Sequence, residues 1–279
     1  MNSYAFYNGK FGKRDEIEIP LSDRALFFGD AIYDAAIGSY DRILWEEEHI
    51  DRFLKNAAAI NIDHPYTKKH ISQLLREIAV KSMLDNYFIY FQLSRNLPHR
   101  YHSAIGCTSN LLITIDPLTI YKNPTPLKLI TFDDQRHGYC HIKTVNLLAA
   151  VLSMTEAEAS ATDEAVFIKN NVVTECSKSN ISIIKQGRVI SHPKTNEILP
   201  GIAREHLSMI CKDIKIPFDE RKYSLDEMLE ADEILVTSTT KLCRKVSHIN
   251  GLPVGNKAPA LADNICNLMY KEYADYCLK

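Results

Sequence analysis

The chain has 279 residues, 46% hydrophobic and 24% charged, which is enough for one large or two modest domains with substantial cores. A formal net charge of −2 gives no electrostatic reason to expect nucleic acid or an anionic membrane as a partner, and no apolar run approaches the roughly 20 residues needed to span a bilayer. Seven scattered cysteines with no CxxC pair suit free thiols in a reducing cytoplasm, and Met1-Asn2-Ser3-Tyr4 lacks a signal-peptide layout, so a cytoplasmic enzyme is the expectation.

The chain opens as a hairpin, Tyr4-Ala5-Phe6-Tyr7 returning through the turn pair Asn8-Gly9. Residues 26–45 mix β-like runs with Gly29 and Gly38. From 46 to 60 the apolar positions Ile50, Phe53, Leu54, Ala57 and Ala58 recur at helical spacing. A second helix is predicted from an N-cap at Thr67 to about Leu84, with Ile71, Leu74, Leu75 and Ile78 on one face. Aromatic and β-branched residues mark strands over 87–93 and 111–115. Three prolines among residues 117–126 remove backbone donors and end regular structure, so that stretch is read as a linker between an N-terminal domain, 1–116, and a C-terminal domain, 127–279. Beyond it the pattern predicts strands near 127–133, 164–169, 180–185, 188–191 and 233–236, and helices over 146–160, 203–214 and 258–277.

Two short signatures 32 positions apart carry chemistry. Lys143 stands in His141-Ile142-Lys143-Thr144-Val145-Asn146, where a β-like run meets a helix; apolar neighbours suggest a desolvated amine, which is a nucleophile. Glu175 stands in Val173-Thr174-Glu175-Cys176-Ser177-Lys178-Ser179-Asn180, dense in hydroxyl and amide groups. An amine that forms a Schiff base and a carboxylate that keeps a pyridine nitrogen protonated are what pyridoxal phosphate chemistry needs. Taken singly, a lysine is usually a solvated surface group and a glutamate beside Ser and Asn an ordinary turn residue. Phosphate donors are also in the chain. Thr237-Ser238-Thr239-Thr240 follows a strand, Pro200-Gly201-Ile202-Ala203 opens a helix, and Arg52 on the first long helix supplies a fork-shaped cation. Arg100 and His102, in Pro98-His99-Arg100-Tyr101-His102, share a side in extended chain and suit a substrate carboxylate. His99, His102, His137 and His141 lack a third ligand at metal-binding spacing, so no metal is expected.

These motifs, with Asp23-Arg24, Phe28-Gly29-Asp30-Ala31-Ile32-Tyr33-Asp34 and His49-Ile50-Asp51-Arg52, occur in the order found in a known family. The chain resembles the fold-type IV, or class IV, pyridoxal phosphate aminotransferases over nearly its whole length. The resemblance implies an α+β or α/β fold of two domains, a smaller N-terminal α/β domain and a larger C-terminal pseudo-barrel. It implies pyridoxal 5′-phosphate as cofactor and Lys143 as the Schiff-base lysine and shuttling base. It further implies Glu175 as partner of the pyridine nitrogen, with Ser179 and Asn180 beside it. Arg52, the backbone of Ile202 and Ala203, Ser238 and Thr239 are implied as phosphate contacts, and Tyr33, Arg100 and His102 as substrate contacts. A homodimer that shares an active-site loop between subunits is also implied.

Within the family the chain most resembles D-amino acid aminotransferases, through Arg100-x-His102 and the run from Lys143 to Leu152. The reaction implied is ping-pong transfer of an amino group from an amino acid to a 2-oxo acid. The alternatives are 4-amino-4-deoxychorismate lyase, favoured by Cys176, and then a branched-chain aminotransferase. A non-catalytic scaffold is set aside because Lys143, Glu175 and Arg52 are all intact. Ala203 replaces the usual threonine or serine, deleting one neutral hydrogen bond of about 1 kcal/mol. Cys176 and Lys178 replace small residues near the ring, and an inward-pointing Lys178 would alter substrate charge preference.

Overall fold

The computed structural model describes residues 3–278 and divides them into two units. The first runs to Thr119 and takes back Ile142–Asn146 and the residues from Ala274; the second holds Ile120–His141 and Leu147–Tyr273.

In the first unit, β1 (Tyr4–Tyr7) and β2 (Lys10–Lys13) form the hairpin expected from Asn8-Gly9. A short helix, α1 (Ala25–Phe28), is capped by Gly29 at φ 60°, and β3 (Ala31–Ser39) and β4 (Arg42–Ile43) follow. Next come α2 (Glu46–Ala59), α3 (Lys68–Ser82), β5 (Asn86–Asn96) and β6 (Thr108–Pro117). The strands make one antiparallel sheet in the order β2-β1-β6-β5-β3-β4. Thr67 caps α3 as expected, its hydroxyl accepting from His70 N at 3.2 Å. The inward residues of β5, Tyr87, Ile89, Phe91 and Leu93, alternate with outward ones and pack with Phe53 of α2 and Ile71 and Ile78 of α3. Both middle strands run well past their apolar cores, because antiparallel pairing from Tyr87↔Pro117 to Asn96↔Thr108 continues into polar sequence.

The second unit is built on a nine-stranded sheet. Its elements are β7 (Leu127–Asp133), α4 (Leu148–Ala159), β8 (Glu164–Lys169), β9 (Val172–Cys176), β10 (Asn180–Lys185), β11 (Arg188–Ser191) and α5 (Ile202–Asp213). They continue with β12 (Phe218–Glu220), α6 (Leu225–Leu229), β13 (Glu233–Ser238), β14 (Leu242–Ile249), β15 (Leu252–Pro253) and α7 (Pro259–Cys277), whose residues from Ala274 count with the first unit. The order is β12-β11-β10-β13-β14-β7-β8-β9, with β15 paired to β14. The β7–α4–β8 passage is a parallel crossover, while β10, β13 and β14 run antiparallel. β10 and β13 are buried along nearly their whole length, as strands covered on both faces are. The sheet curls: β9 lies at its edge, yet Cys176 N donates to Ser179 O at 2.8 Å just before β10 begins. Four strands escape the sequence pattern. β9 contains Thr174-Glu175, β12 has three residues, β15 has two, and β14 alternates through Arg244, Lys245 and His248, so none presents an apolar run. No helix among the described residues is long and apolar enough to cross a membrane.

Candidate active site

Lys143 belongs to the first unit and lies outside regular secondary structure, two residues after a turn. Its segment pairs with the open edge of β3: Tyr33 N donates to Lys143 O at 2.9 Å, Val145 N to Ala31 O at 3.2 Å, and Thr144 bridges Ile32. Helix α4 begins only at Leu148, because the Lys143 carbonyl and the Val145 N–H are engaged with β3 first. Gly29 is required close by. Its φ is 60°, and a Cβ there would meet Asn146 Oδ1 at 2.3 Å; Asn146 Nδ2 donates to Gly29 O at 3.0 Å. The Lys143 ammonium stands 4.3 Å from the Tyr33 ring centroid, a cation–π contact, and Tyr33 itself stacks on Tyr90 at 5.2 Å. The structure thus brings Lys143 and Tyr33 together.

Arg52 is half-buried on α2, with side-chain exposure of 14%. Its Nε and Nη2 donate to the two oxygens of Asp34, each at 2.8 Å, and His49, one turn earlier, places Nδ1 2.8 Å from the same carboxylate. Asp34 is fully buried on β3. Burial pushes its carboxyl up, but the Arg52 charge and the His49 hydrogen bond outweigh that and hold it below the usual carboxylate range. Burial pushes the His49 imidazole down, against the pull of Asp34, so it stays neutral. Asp34 and His49 went unnoticed in the sequence, although both lie inside quoted motifs; a carboxylate three residues after Ala31 in a strand was the available signal.

Arg100 and His102 follow β5 in an irregular exposed segment. Both reach the same aromatic ring: the Arg100 guanidinium lies 4.9 Å from the Phe28 ring centroid and the His102 ring 5.1 Å from it.

In the second unit Glu175 is on strand β9, not in a turn, and is buried. Arg136 Nη1 donates to its Oε1, Asn180 Nδ2 to its Oε2 at 2.9 Å, and Leu199 N to both oxygens at 3.1 and 3.0 Å. Arg136 also holds Asp134 bidentately at 2.9 and 2.8 Å and lies 4.5 Å from the Phe167 ring centroid. Burial works against the Arg136 charge, but Asp134 and Glu175 overcome it and keep the guanidinium protonated. This donor set suits a carboxylate anion. Asp134 and Arg136 were missed; an acid–base pair two apart after a strand was the only sequence sign.

The remaining phosphate candidates gather at that end of the sheet. Asn180 opens β10 opposite Thr237 of β13, so Ser238 follows at the same end, and Thr239 lies in the turn after it. Ser238 Oγ lies 3.4 Å from Thr240 Oγ1. Gly201 caps α5, and a Cβ on it would meet Asn180 Oδ1 at 2.0 Å. The first-turn N–H groups of Ile202 and Ala203 have no acceptor one turn earlier in the helix, the usual anion-binding arrangement. Backbone donors, hydroxyls and a buried carboxylate close together fit the phosphate and pyridine of one cofactor. Ser179 is placed differently from its neighbours. Its hydroxyl lies 2.7 Å from both oxygens of buried Glu164, which Lys241 also pairs. Lys178 is exposed, and Cys176 belongs to the apolar core.

The sequence model of the amino-transferase class IV family matches residues 32–249. A D-alanine aminotransferase of Bacillus licheniformis is 32% identical over 257 residues, covering 91% of this chain and 90% of the relative. A D-alanine aminotransferase of Staphylococcus haemolyticus is 33% identical over 257 residues, 90% of each chain. A branched-chain aminotransferase structure from Thermoproteus uzoniensis superposes with a TM-score of 0.89 at 21% identity, over 98% of this chain and 97% of that one. The chain belongs to the class IV aminotransferases, a family that works with pyridoxal 5′-phosphate.

Proposed function

We propose that the protein transfers the amino group of a D-amino acid of the D-alanine type to a 2-oxo acid, as a homodimer in the cytoplasm. The observation that carries this reading is Lys143, its main chain fixed to β3 and its amine held over Tyr33. The D-alanine aminotransferases matched along nine-tenths of the chain support the choice of substrate. Lys143 would hold the cofactor through its amine. Ile202 and Ala203 N–H groups, Ser238, Thr239 and Arg52 would take its phosphate, and Glu175 its pyridine nitrogen. Bound there, pyridoxal phosphate supplies an electron sink for negative charge at the substrate α-carbon.

The chain's own residues do the rest. Lys143 Nζ would take the proton from the substrate α-carbon and, standing on that one face, deliver it on the same face to the cofactor carbon bound to the amino nitrogen. Arg136, Asn180 and Leu199 N hold Glu175 from both of its oxygens and aim it. Arg100 and His102 grip the α-carboxylate, which orients the α-hydrogen. The Asp34–His49 pair fixes the plane of the Arg52 guanidinium. The exposed apolar residues Leu26, Phe27, Tyr101 and Ile105 near the Arg100 loop support burial against a second copy. Cys176, buried and with a thiol pushed well up by burial, lends no weight to the lyase reaction.

The test is to mix cofactor-loaded protein with single amino acids, without acceptor, and follow the cofactor's absorbance. Conversion with D-alanine or D-glutamate supports the reading. Conversion only with L-leucine-like substrates moves it to branched-chain chemistry, and pyruvate release from aminodeoxychorismate alone moves it to the lyase.

A further inference from the structure

Arg24 is almost completely buried, and its guanidinium is divided between the Asp30 carboxylate and main chain. Its Nε donates to Asp30 Oδ2 at 2.7 Å. The other two nitrogens reach three consecutive carbonyls of one segment: Nη1 donates to Tyr101 O and to Ser103 O at 3.4 Å, and Nη2 to His102 O at 3.0 Å. Arg24 is fixed from behind, because its own N donates to Arg95 O at 2.8 Å and Arg95 pairs the second oxygen of Asp30. Its guanidinium also lies 4.6 Å from the Phe28 ring centroid, the ring that Arg100 and His102 rest against.

The segment from Leu97 to Cys107 has no regular secondary structure, so its shape depends on such side-chain bonds. With three successive carbonyls turned toward one buried cation, the side chains of Arg100 and His102 emerge together on Phe28. We infer that Arg24 is a positioning residue for substrate recognition: its fork shapes the 100–103 segment, and Phe28 is the shelf that aligns Arg100 and His102 on the substrate carboxylate. The role rests on the carboxylate-binding reading of Arg100 and His102 given above. Lysine cannot replace arginine here. A point-like ammonium can keep the ion pair to Asp30, but it lacks the planar set of donors that reaches three carbonyls at once.

The experiment compares the holoenzyme with Arg24→Lys, Phe28→Leu and Arg100→Ala, using D-alanine kinetics, cofactor titration and hydrogen exchange of the loop amides. Arg24→Lys is expected to raise KM for D-alanine about tenfold or more with kcat within about threefold, the signature of lost carboxylate binding. Its amides at 101–104 should exchange faster, while cofactor affinity and melting temperature stay near wild type. Phe28→Leu, which removes the shelf and leaves the clamp, should raise KM with wild-type loop exchange, and it stands in if Arg24→Lys does not fold. Wild-type KM in both variants, with KM raised in Arg100→Ala, overturns the positioning role and leaves the carboxylate reading intact. An unchanged KM in Arg100→Ala overturns the carboxylate reading, and this role with it.

Discussion

Three carboxylates with buried side chains, gripped by two arginines, decide how individual residues respond to change. Glu175 and Asp134 share Arg136, and their side chains are 8% and 4% exposed. Arg136→Met leaves both anions buried without their cation, a change of the kind that costs about 3–5 kcal/mol. Urea unfolding should show that loss, and adding Asp134→Asn should recover part of it, because one of the stranded charges is gone; equal loss in single and double variants would disprove the shared grip. Asp34 and His49 make a second prediction, in pH. The folded Asp34 carboxyl is held low despite burial, and the folded His49 imidazole is pushed low by burial. In both cases the unfolded chain binds the proton more readily, so stability rises with pH across the window. It should be complete above about pH 6.5, fall as the unfolded His49 charges, and fall further below about pH 4 as unfolded Asp34 protonates. His192, also lowered by burial, adds to the first limb. Urea midpoints at pH 8, 5.5 and 3.5 check the direction, and a protein more stable at 5.5 than at 8 would contradict it.

At the scale of elements, periodicity and turn chemistry were readable wherever one face is apolar and the other polar. Helices α2 and α3 and the first hairpin lie where Phe53, Thr67 and Asn8-Gly9 put them. Strand β9 was not readable, because its polar Thr174 and Glu175 are buried for their hydrogen bonds, not for their hydrophobicity. The site divides in the same way. Lys143 and Glu175 stood out by motif, whereas Arg136, Asp34 and Arg24 each act through a partner 15 to 79 residues distant in sequence, which spacing does not reveal. Ser179 shows the converse, a residue with the right neighbours in sequence that the fold commits to Glu164. The approach of Asn180 to Gly201 makes a sharp element-level prediction. Gly201→Ala puts a methyl group 2.0 Å from Asn180 Oδ1, so Asn180 must turn away and release Glu175 or the carbonyl of Leu199. Because φ at Gly201 is −72°, the backbone itself accepts alanine, and the damage is confined to the contact. Cofactor affinity should fall about tenfold or more, roughly the worth of one charge-assisted hydrogen bond, with a much smaller change in unfolding. Titrating apoprotein with pyridoxal phosphate measures it; unaltered affinity would mean that Asn180 does not align Glu175.

The molecule as a whole carries an unbalanced helix. In α4 the side toward the sheet buries Ser153 and Ala157, while Leu148, Val151 and Leu152, at i, i+3 and i+4, remain 73%, 57% and 55% exposed. A helix apolar on both sides belongs in an interior, and in a chain of this size a second copy is the simplest way to supply one. Covering each of those side chains stabilises an interface by up to about 1.5–3 kcal/mol. Placing a carboxylate among them replaces that gain with a desolvation penalty. Val151→Glu should therefore shift the proposed homodimer toward monomer without unfolding it, because Val151 makes little contact with its own core. It should also lower turnover if the Arg100 loop serves a neighbouring subunit. Sedimentation velocity on wild type and variant, with circular dichroism to confirm folding, reads both arms. A wild-type protein that is monomeric at micromolar concentration yet fully active would remove the homodimer and the shared loop together. A variant that stays dimeric would leave the dimer but take its interface away from α4, toward the exposed apolar group around Ile105.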